Sequence, residues 1–213
     1  MTRNDVKSIG MYLTVWGAVI GLILSGCSAK NGHDHHDHSS ADKDQAEAHV
    51  DIKDLEAADD PTVFIDGKHD VNGYLAVSWF FKSKDRERAF DLVNEGLSHN
   101  PEAFQLYGLK GQLTLAKARE HSSSDLKHPD VETKAMIIDA QHLYRKAAKL
   151  GLKERTQKSG DDWPADKEFD VRDAVRKDVF IEEQHGNLVE TERLAKQYVE
   201  ALGGDEILQR RLN

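Results

Sequence analysis

Six consecutive residues near the start of the chain form its densest set of metal-binding side chains. They are His33, Asp34, His35, His36, Asp37 and His38. Neutral imidazole is a ligand for zinc, copper and nickel, and carboxylate oxygens can share the same ion. A segment with no fixed surroundings would bind with modest affinity, because nothing holds the rings in one orientation. The sequence leaves two interpretations open: a transition-metal site at these four histidines, or a hydrated spacer.

The single cysteine, Cys27, lies directly after an apolar run. Residues 1–10 carry Arg3 and Lys7, and residues 11–24 are mostly apolar. This order is typical of an export signal. As a helix the run would be about 21 Å long, shorter than the ~30 Å hydrocarbon core of a bilayer, which favours a cleaved signal. The alternative is an uncleaved anchor that spans the membrane over residues 9–26.

The residues Leu24-Ser25-Gly26-Cys27 resemble the lipobox of bacterial lipoproteins. The resemblance implies that residues 1–26 are a signal peptide and that the Cys27 thiol carries the lipid. Several acyl chains hold a protein firmly at a membrane. Ser28 stands where an aspartate would resemble an inner-membrane retention signal. The resemblance therefore implies an address in the bacterial cell envelope, at the outer membrane and facing the periplasm.

Residues 27–60 are predicted to be a flexible linker. They include the His/Asp-rich run and contain almost no apolar residue before Val50. Such a composition cannot bury enough apolar surface to offset the entropy lost on folding. The linker would join the lipid anchor to a folded domain over residues 61–213.

The folded domain is predicted to be all-α. Apolar residues at three- and four-residue spacings predict helices from residue 71 to a break at 82–85, from there to Asn100-Pro101, and over about 102–119. A polar loop follows over residues 121–130. A later pair of helices is expected at 171–184 and 188–202. Residues 63–65 are a short apolar run before a turn, which favours a small strand or a cap.

Part of this domain resembles the tetratricopeptide family. Phe80, Ala89, Val93, Gly96 and Pro101 fall at the offsets at which that family places an aromatic, small residues, a large residue and a proline. Small residues at these offsets let two antiparallel helices approach closely. The resemblance implies helical hairpins stacked as a short α-solenoid, with a groove that binds protein.

A second helical pair would carry the same pattern. It would use Gly111 in its first helix and Ala140, Tyr144 and Ala147 in its second. Residues 140–151 are also similar to the second helix of the related Sel-like repeats. The alternative interpretation of the domain is an ordinary helical bundle.

The net charge and the absence of catalytic motifs argue against nucleic-acid binding and against an enzyme. A formal net charge of -9 argues against a nucleic-acid partner. We find no nucleophile elbow, phosphate loop or zinc-protease pair, so no enzyme is predicted, and no cofactor beyond the zinc, nickel or copper considered above. His121 and His128 could form a weak metal site, although a solvated loop is favoured, and Trp163 is expected to pack on neighbouring helices. The expected function is a lipid-anchored scaffold that binds an envelope protein or peptide; the alternative is a metal-binding lipoprotein.

Overall fold

A computed structural model describes residues 50–122, 129–158 and 163–212. They belong to one of two units of the chain, Glu47–Asn213, and the other unit, Met1–Ala46, lies outside the described residues. The described residues are 78% helical and contain no strand. Their elements in chain order are α1 (Ile52–Ala57), a 3-10 helix (Pro61–Phe64), α2 (Val71–Phe81), α3 (Arg86–His99), α4 (Phe104–His121), α5 (Val131–Gln157), α6 (Ala165–Gln184), α7 (Leu188–Leu202) and α8 (Glu206–Gln209). The predicted all-α class is therefore confirmed.

Most of these helices begin directly after an aspartate or an asparagine. The side chain of each such residue accepts a hydrogen bond from a backbone N–H of the first turn. At the start of α5, the Thr133 N–H donates to Asp130 Oδ1 at 2.7 Å. Because the first N–H groups of a helix have no intrahelical acceptor, these caps fix where each helix starts. The helix α7 ends at Gly203, whose φ of 69° lies in the left-handed region that favours glycine.

Successive helices pack against each other in antiparallel pairs. In α2 and α3, the Tyr74 hydroxyl donates to Glu95 Oε1 at 2.9 Å and so joins the start of one helix to the end of the next. The pairs α4 with α5 and α6 with α7 are in contact in the same way, and α4 also contacts both α2 and α6. This arrangement brings the first helix of each pair next to the first helix of the following pair.

The helices approach closely where the sequence places small residues. A Cβ added to Gly96 would lie 2.9 Å from Tyr74 Cγ, and one added to Gly111 would lie 3.1 to 3.2 Å from the Tyr144 ring. Ala89 and Ala140 have no exposed surface. The close approach that we expected at these small residues is therefore present.

The core consists of two clusters that both include residues of α4. One cluster joins Leu55 to residues of α2 and α3, and α4 contributes Leu106, Leu109 and Leu113 to it. The other contains residues of α5 to α8, and α4 contributes Phe104 to it. The helix α4 is therefore the element that fixes α2 relative to α6.

Three predictions need correction. The linker was expected to be unstructured up to residue 60, but Ile52–Ala57 is helical and Leu55 is only 2% exposed, because it packs against the α2–α3 pair. Where the sequence favoured a strand or a cap at 63–65, Pro61–Phe64 is a 3-10 helix. The helix α6 starts at Ala165, one and a half turns before the expected residue 171.

We expect Gly151→Ala to destabilise the fold by about 1 kcal/mol. The new Cβ would lie 2.5 Å from Val171 Cγ2 and 3.0 Å from Phe104 Cδ2, an overpacking that costs about 1–3 kcal/mol. The better helix propensity of alanine returns about 1 kcal/mol. Urea unfolding followed by circular dichroism measures the difference.

Gly108→Ala is the matched control for this substitution. It is also inside a helix, but its added Cβ would meet no heavy atom within 4 Å, so propensity alone predicts a gain of about 1 kcal/mol. Changes in the free energy of unfolding that have the same sign and size in both variants would contradict the close packing at Gly151.

Candidate functional site

Side chains of α2, α4 and α6 form a continuous line of polar contacts. The Lys82 Nζ, directly after α2, donates to Gln112 Oε1 of α4 at 3.0 Å, and Gln112 lies near enough to the Asp173 carboxylate of α6 to lower its pKa. We call this surface the α2–α4–α6 face. We define it by Trp79, Lys82, Gln112, Phe169, Asp170 and Asp173.

The helices α4 and α6 run in the same direction across this face. Phe104 at the start of α4 stacks on Trp163, which directly precedes α6, with ring centroids 6.3 Å apart. The expectation that Trp163 packs on neighbouring helices is thereby confirmed. Gln112 of α4 lies near Asp173 of α6 further along both helices, as expected for a parallel pair.

The α2 side of the face carries a cation on an aromatic ring. The Lys82 Nζ lies 3.7 Å from the centroid of the Trp79 ring, and Trp79 is 39% exposed. Burial, and after it the charge of Lys177, lower the pKa of Lys82. An amphipathic ring that is partly open to water suits contact with a partner.

The α6 side carries two half-buried carboxylates. Burial raises the pKa of Asp173, while Lys177, Arg176 and Lys82 act in the opposite direction. Burial, and after it the charges of Asp166 and Asp173, raise the pKa of Asp170 to about 7. Asp170 forms no hydrogen bond or ion pair with any residue that the structure describes.

Exposed aromatic side chains stand next to these carboxylates. Phe169 is 53% exposed and Phe180 is 41% exposed. They are eleven positions apart on α6, which places both on one side of the helix. The face thus combines aromatic surface with poorly solvated charges, a combination that suits the binding of another chain.

The α2–α4–α6 face was not predicted from the sequence. A signal was present, because Asp166, Asp170 and Asp173 are spaced so that three carboxylates share one side of a helix. Like charges at such spacings destabilise a helix, so the pattern calls for an explanation beyond solubility. The contacts of Lys82 and Gln112, thirty positions apart along the chain, had no local signal.

His121, which the sequence places at the start of the polar loop, contacts side chains at the start of α5. The Nδ1 of His121 lies 3.2 Å from Thr133 Oγ1, and its Nε2 lies 3.3 Å from Glu132 Oε2. His128 lies outside the described residues. Within residues 50–122, 129–158 and 163–212, no group of three or more histidine, cysteine, aspartate or glutamate side chains could hold a metal ion.

The other site residues predicted from the sequence fall outside the described part of the chain. They are Cys27, the proposed lipid attachment point, and His33, His35, His36 and His38, the proposed metal ligands. Among the described helices, none is both long enough and apolar enough to cross a bilayer.

Comparisons with family models, with curated proteins and with solved structures found no match to this chain.

Proposed function

We propose that this chain is a lipid-anchored protein of the bacterial cell envelope that binds another envelope protein or peptide and catalyses no reaction. The lipid would be attached at Cys27, and the antiparallel helical pairs, stacked in the manner of tetratricopeptide repeats, would present the binding surface. The single observation that carries the binding role is the α2–α4–α6 face, where exposed aromatic rings adjoin charged groups that have lost much of their water.

Two features of the helical pairs support this proposal. The first helices α2, α4 and α6 are neighbours, so their outer sides form one continuous surface. The small residues Gly96 and Gly111 keep paired helices close, as in the family that the sequence resembles. Stacked helical pairs commonly bind other proteins through such a surface, and we assign the binding role to the α2–α4–α6 face.

Site-specific photocrosslinking in intact envelopes tests the binding role. A photoreactive phenylalanine analogue at Trp79 or at Phe169 should yield a discrete crosslinked band. The same analogue at Val189, which is 82% exposed at the start of α7, is the control and should yield none. A band of equal strength at Val189, or no band at the two face positions, would contradict the proposed function.

The second candidate function rests on the run of four histidines and two aspartates at residues 33–38. If this segment collects metal, replacement of its four histidines by alanine should abolish Zn, Cu and Ni binding by the full chain in calorimetric titration. The expected loss is large, because among the described residues no group of three or more His, Cys, Asp or Glu side chains could hold a metal ion. Equal, weak binding by both proteins would refute the metal function and leave the segment as a spacer.

A further inference from the structure

We propose that the outer side of α5 binds the headgroups of anionic lipids through a row of basic side chains. They are His142, Lys146, Lys149 and Lys153, and we call them the α5 basic stripe. This inference goes beyond the proposed function, because it adds a membrane contact of the folded domain to the proposed lipid anchor and partner-binding face. Three observations carry it: the single sign of the charge along the stripe, the weak partners of these side chains within the protein and the lack of exposed apolar surface beside them.

Every exposed position of α5 over residues 140–155 carries a basic side chain. These positions, 142, 146, 149 and 153, follow each other at three- and four-residue spacings, so they share one side of the helix over about 16 Å. The chain as a whole has a formal net charge of -9. The exposed positions of α3 carry Glu87, Asp91 and Glu95 against the single basic Arg88. Basic charge is therefore concentrated on α5 in an otherwise acidic protein.

The protein itself does little to neutralise these charges. Lys149 is exposed and forms no hydrogen bond or ion pair with any residue that the structure describes. The Lys153 Nζ lies 3.2 Å from Glu102 Oε1, but both side chains are more than half exposed, and pairs of this kind contribute little. The Lys146 Nζ lies 4.1 Å from the centroid of the Tyr107 ring, a contact that leaves its charge without a counterion. The row of lysines is therefore available to an external anion.

The adjoining part of α4 adds no negative charge to this surface. Residues 104–119 contain no aspartate or glutamate. They include Lys110, which follows Tyr107 by three positions, the spacing of neighbours on one side of a helix. On α5 itself, Asp139 lies one turn before His142 and ends the stripe. The positive potential of the stripe therefore extends toward α4 rather than being cancelled there.

An anionic membrane fits this surface better than an acidic protein does. Interfaces between proteins usually contain a buried aromatic or aliphatic anchor, but within α5 the exposed large apolar side chain is Val131, three turns before His142. Lipid headgroups attract lysine by charge alone, and each lysine near an anionic surface strengthens binding roughly fivefold. A lipid attached at Cys27 would keep the domain beside such a surface, so even a weak contact would be well populated.

Acetylation of lysines on the full chain, reconstituted in lipid vesicles and read by mass spectrometry, tests the inference. Vesicles of phosphatidylcholine are compared with vesicles that contain about one third phosphatidylglycerol. Acetylation of Lys149 should fall roughly fivefold in the anionic vesicles and should recover at about 0.5 M salt, which screens the attraction. Lys68 and Lys196, which are exposed on other parts of the protein, should change by less than about twofold.

A pair of double variants separates the stripe from net charge, with Lys149 as the reporter in both. Lys146→Gln/Lys153→Gln removes two cations of the stripe, so the protection of Lys149 should fall from roughly fivefold to less than about twofold. The matched control Lys68→Gln/Lys196→Gln makes the same change in net charge elsewhere and should keep the protection of wild type. All four substituted side chains are exposed, so both variants should unfold near the temperature of wild type.

The outcomes separate this inference from the proposed function. Equal acetylation of Lys149 in the two kinds of vesicle would overturn the inference, and so would protection that persists in Lys146→Gln/Lys153→Gln. Protection of Lys149 in intact envelopes but not in the anionic vesicles would also overturn it and would indicate an acidic protein as the partner of the stripe. A failure of crosslinking at Trp79 and Phe169 would refute the binding role of the α2–α4–α6 face and leave the lipid contact of α5 standing.

Discussion

Replacing Asp178 by alanine should lower the free energy of unfolding by about 4 kcal/mol, because it removes the centre of a buried polar network. Asp178 lies on α6 with no exposed surface. Its carboxylate accepts hydrogen bonds from the Tyr198 hydroxyl at 2.8 Å and from Arg145 Nη2 at 2.9 Å. These bonds join α6 to α7 on one side and to α5 on the other.

The cost arises mainly because two partners of Asp178, Tyr198 and Gln141, are buried and cannot recover water. In the alanine variant the buried Tyr198 hydroxyl loses its acceptor, and Gln141 Nε2 loses a contact of 3.3 Å. A buried donor without an acceptor costs about 1–3 kcal/mol. Arg145, whose side chain is 42% exposed, also loses its charge-assisted hydrogen bonds to Asp178 but keeps Glu182 Oε2 at 3.5 Å.

Chemical unfolding of Asp178→Ala beside Asp139→Ala measures this effect. Asp139 is exposed on a neighbouring helix, so its substitution should change stability by less than about 0.5 kcal/mol. Asp178→Asn keeps the shape of the side chain and should fall between the two. If Asp178→Ala unfolds within about 1 kcal/mol of the control, the network does not hold α5, α6 and α7 together as the contacts indicate.

Asp170→Asn should have the opposite effect and stabilise the protein by about 2 kcal/mol at pH 8. Burial raises the pKa of Asp170 from 3.8 to about 7. The folded state therefore binds more protons than the unfolded state between about pH 4 and pH 7, and stability falls as the pH rises through this window. The full shift corresponds to roughly 4 kcal/mol, which we halve because the side chain is partly open to water.

Stability measured against pH tests this prediction. The neutral amide removes the penalty of ionising position 170, so Asp170→Asn should show a flatter pH profile than wild type. The two proteins should be close in stability near pH 4.5, where Asp170 is protonated in the folded state, and should diverge toward pH 8. Parallel profiles for wild type and Asp170→Asn would show that burial does not perturb this carboxylate.

The positions of several helices could be predicted because the signals for them are local. The α2 helix begins and ends where the sequence analysis placed it, after the cap at Asp70 and before the break at Lys82. The α7 helix has its predicted bounds, after the cap at Asn187. The start of α6 was misplaced because its first turn, from Ala165, contains few apolar residues and begins without a side-chain cap.

The role of individual small residues was also accessible from the sequence. The repeat-like spacing singled out Gly96 and Gly111, and both are crowded by aromatic or aliphatic side chains of neighbouring helices. Gly108 carried no such pattern, and its surroundings are open. The spacing of small residues therefore predicted where paired helices are in close contact, but it did not predict where a glycine has open surroundings.

The sequence by itself determined the all-helical class, several helix boundaries and the positions of close approach, because caps and apolar periodicity act between residues only a few positions apart. Tertiary structure alone decided which polar residues meet. Lys82, Gln112 and Asp173 come together, and Asp170 has no counterion among the residues that the structure describes, only once three helices have taken their rotation and register. The rotation and register of these helices are set by apolar side chains of α4 that pack against residues far away in the sequence. No local sequence pattern encodes that packing.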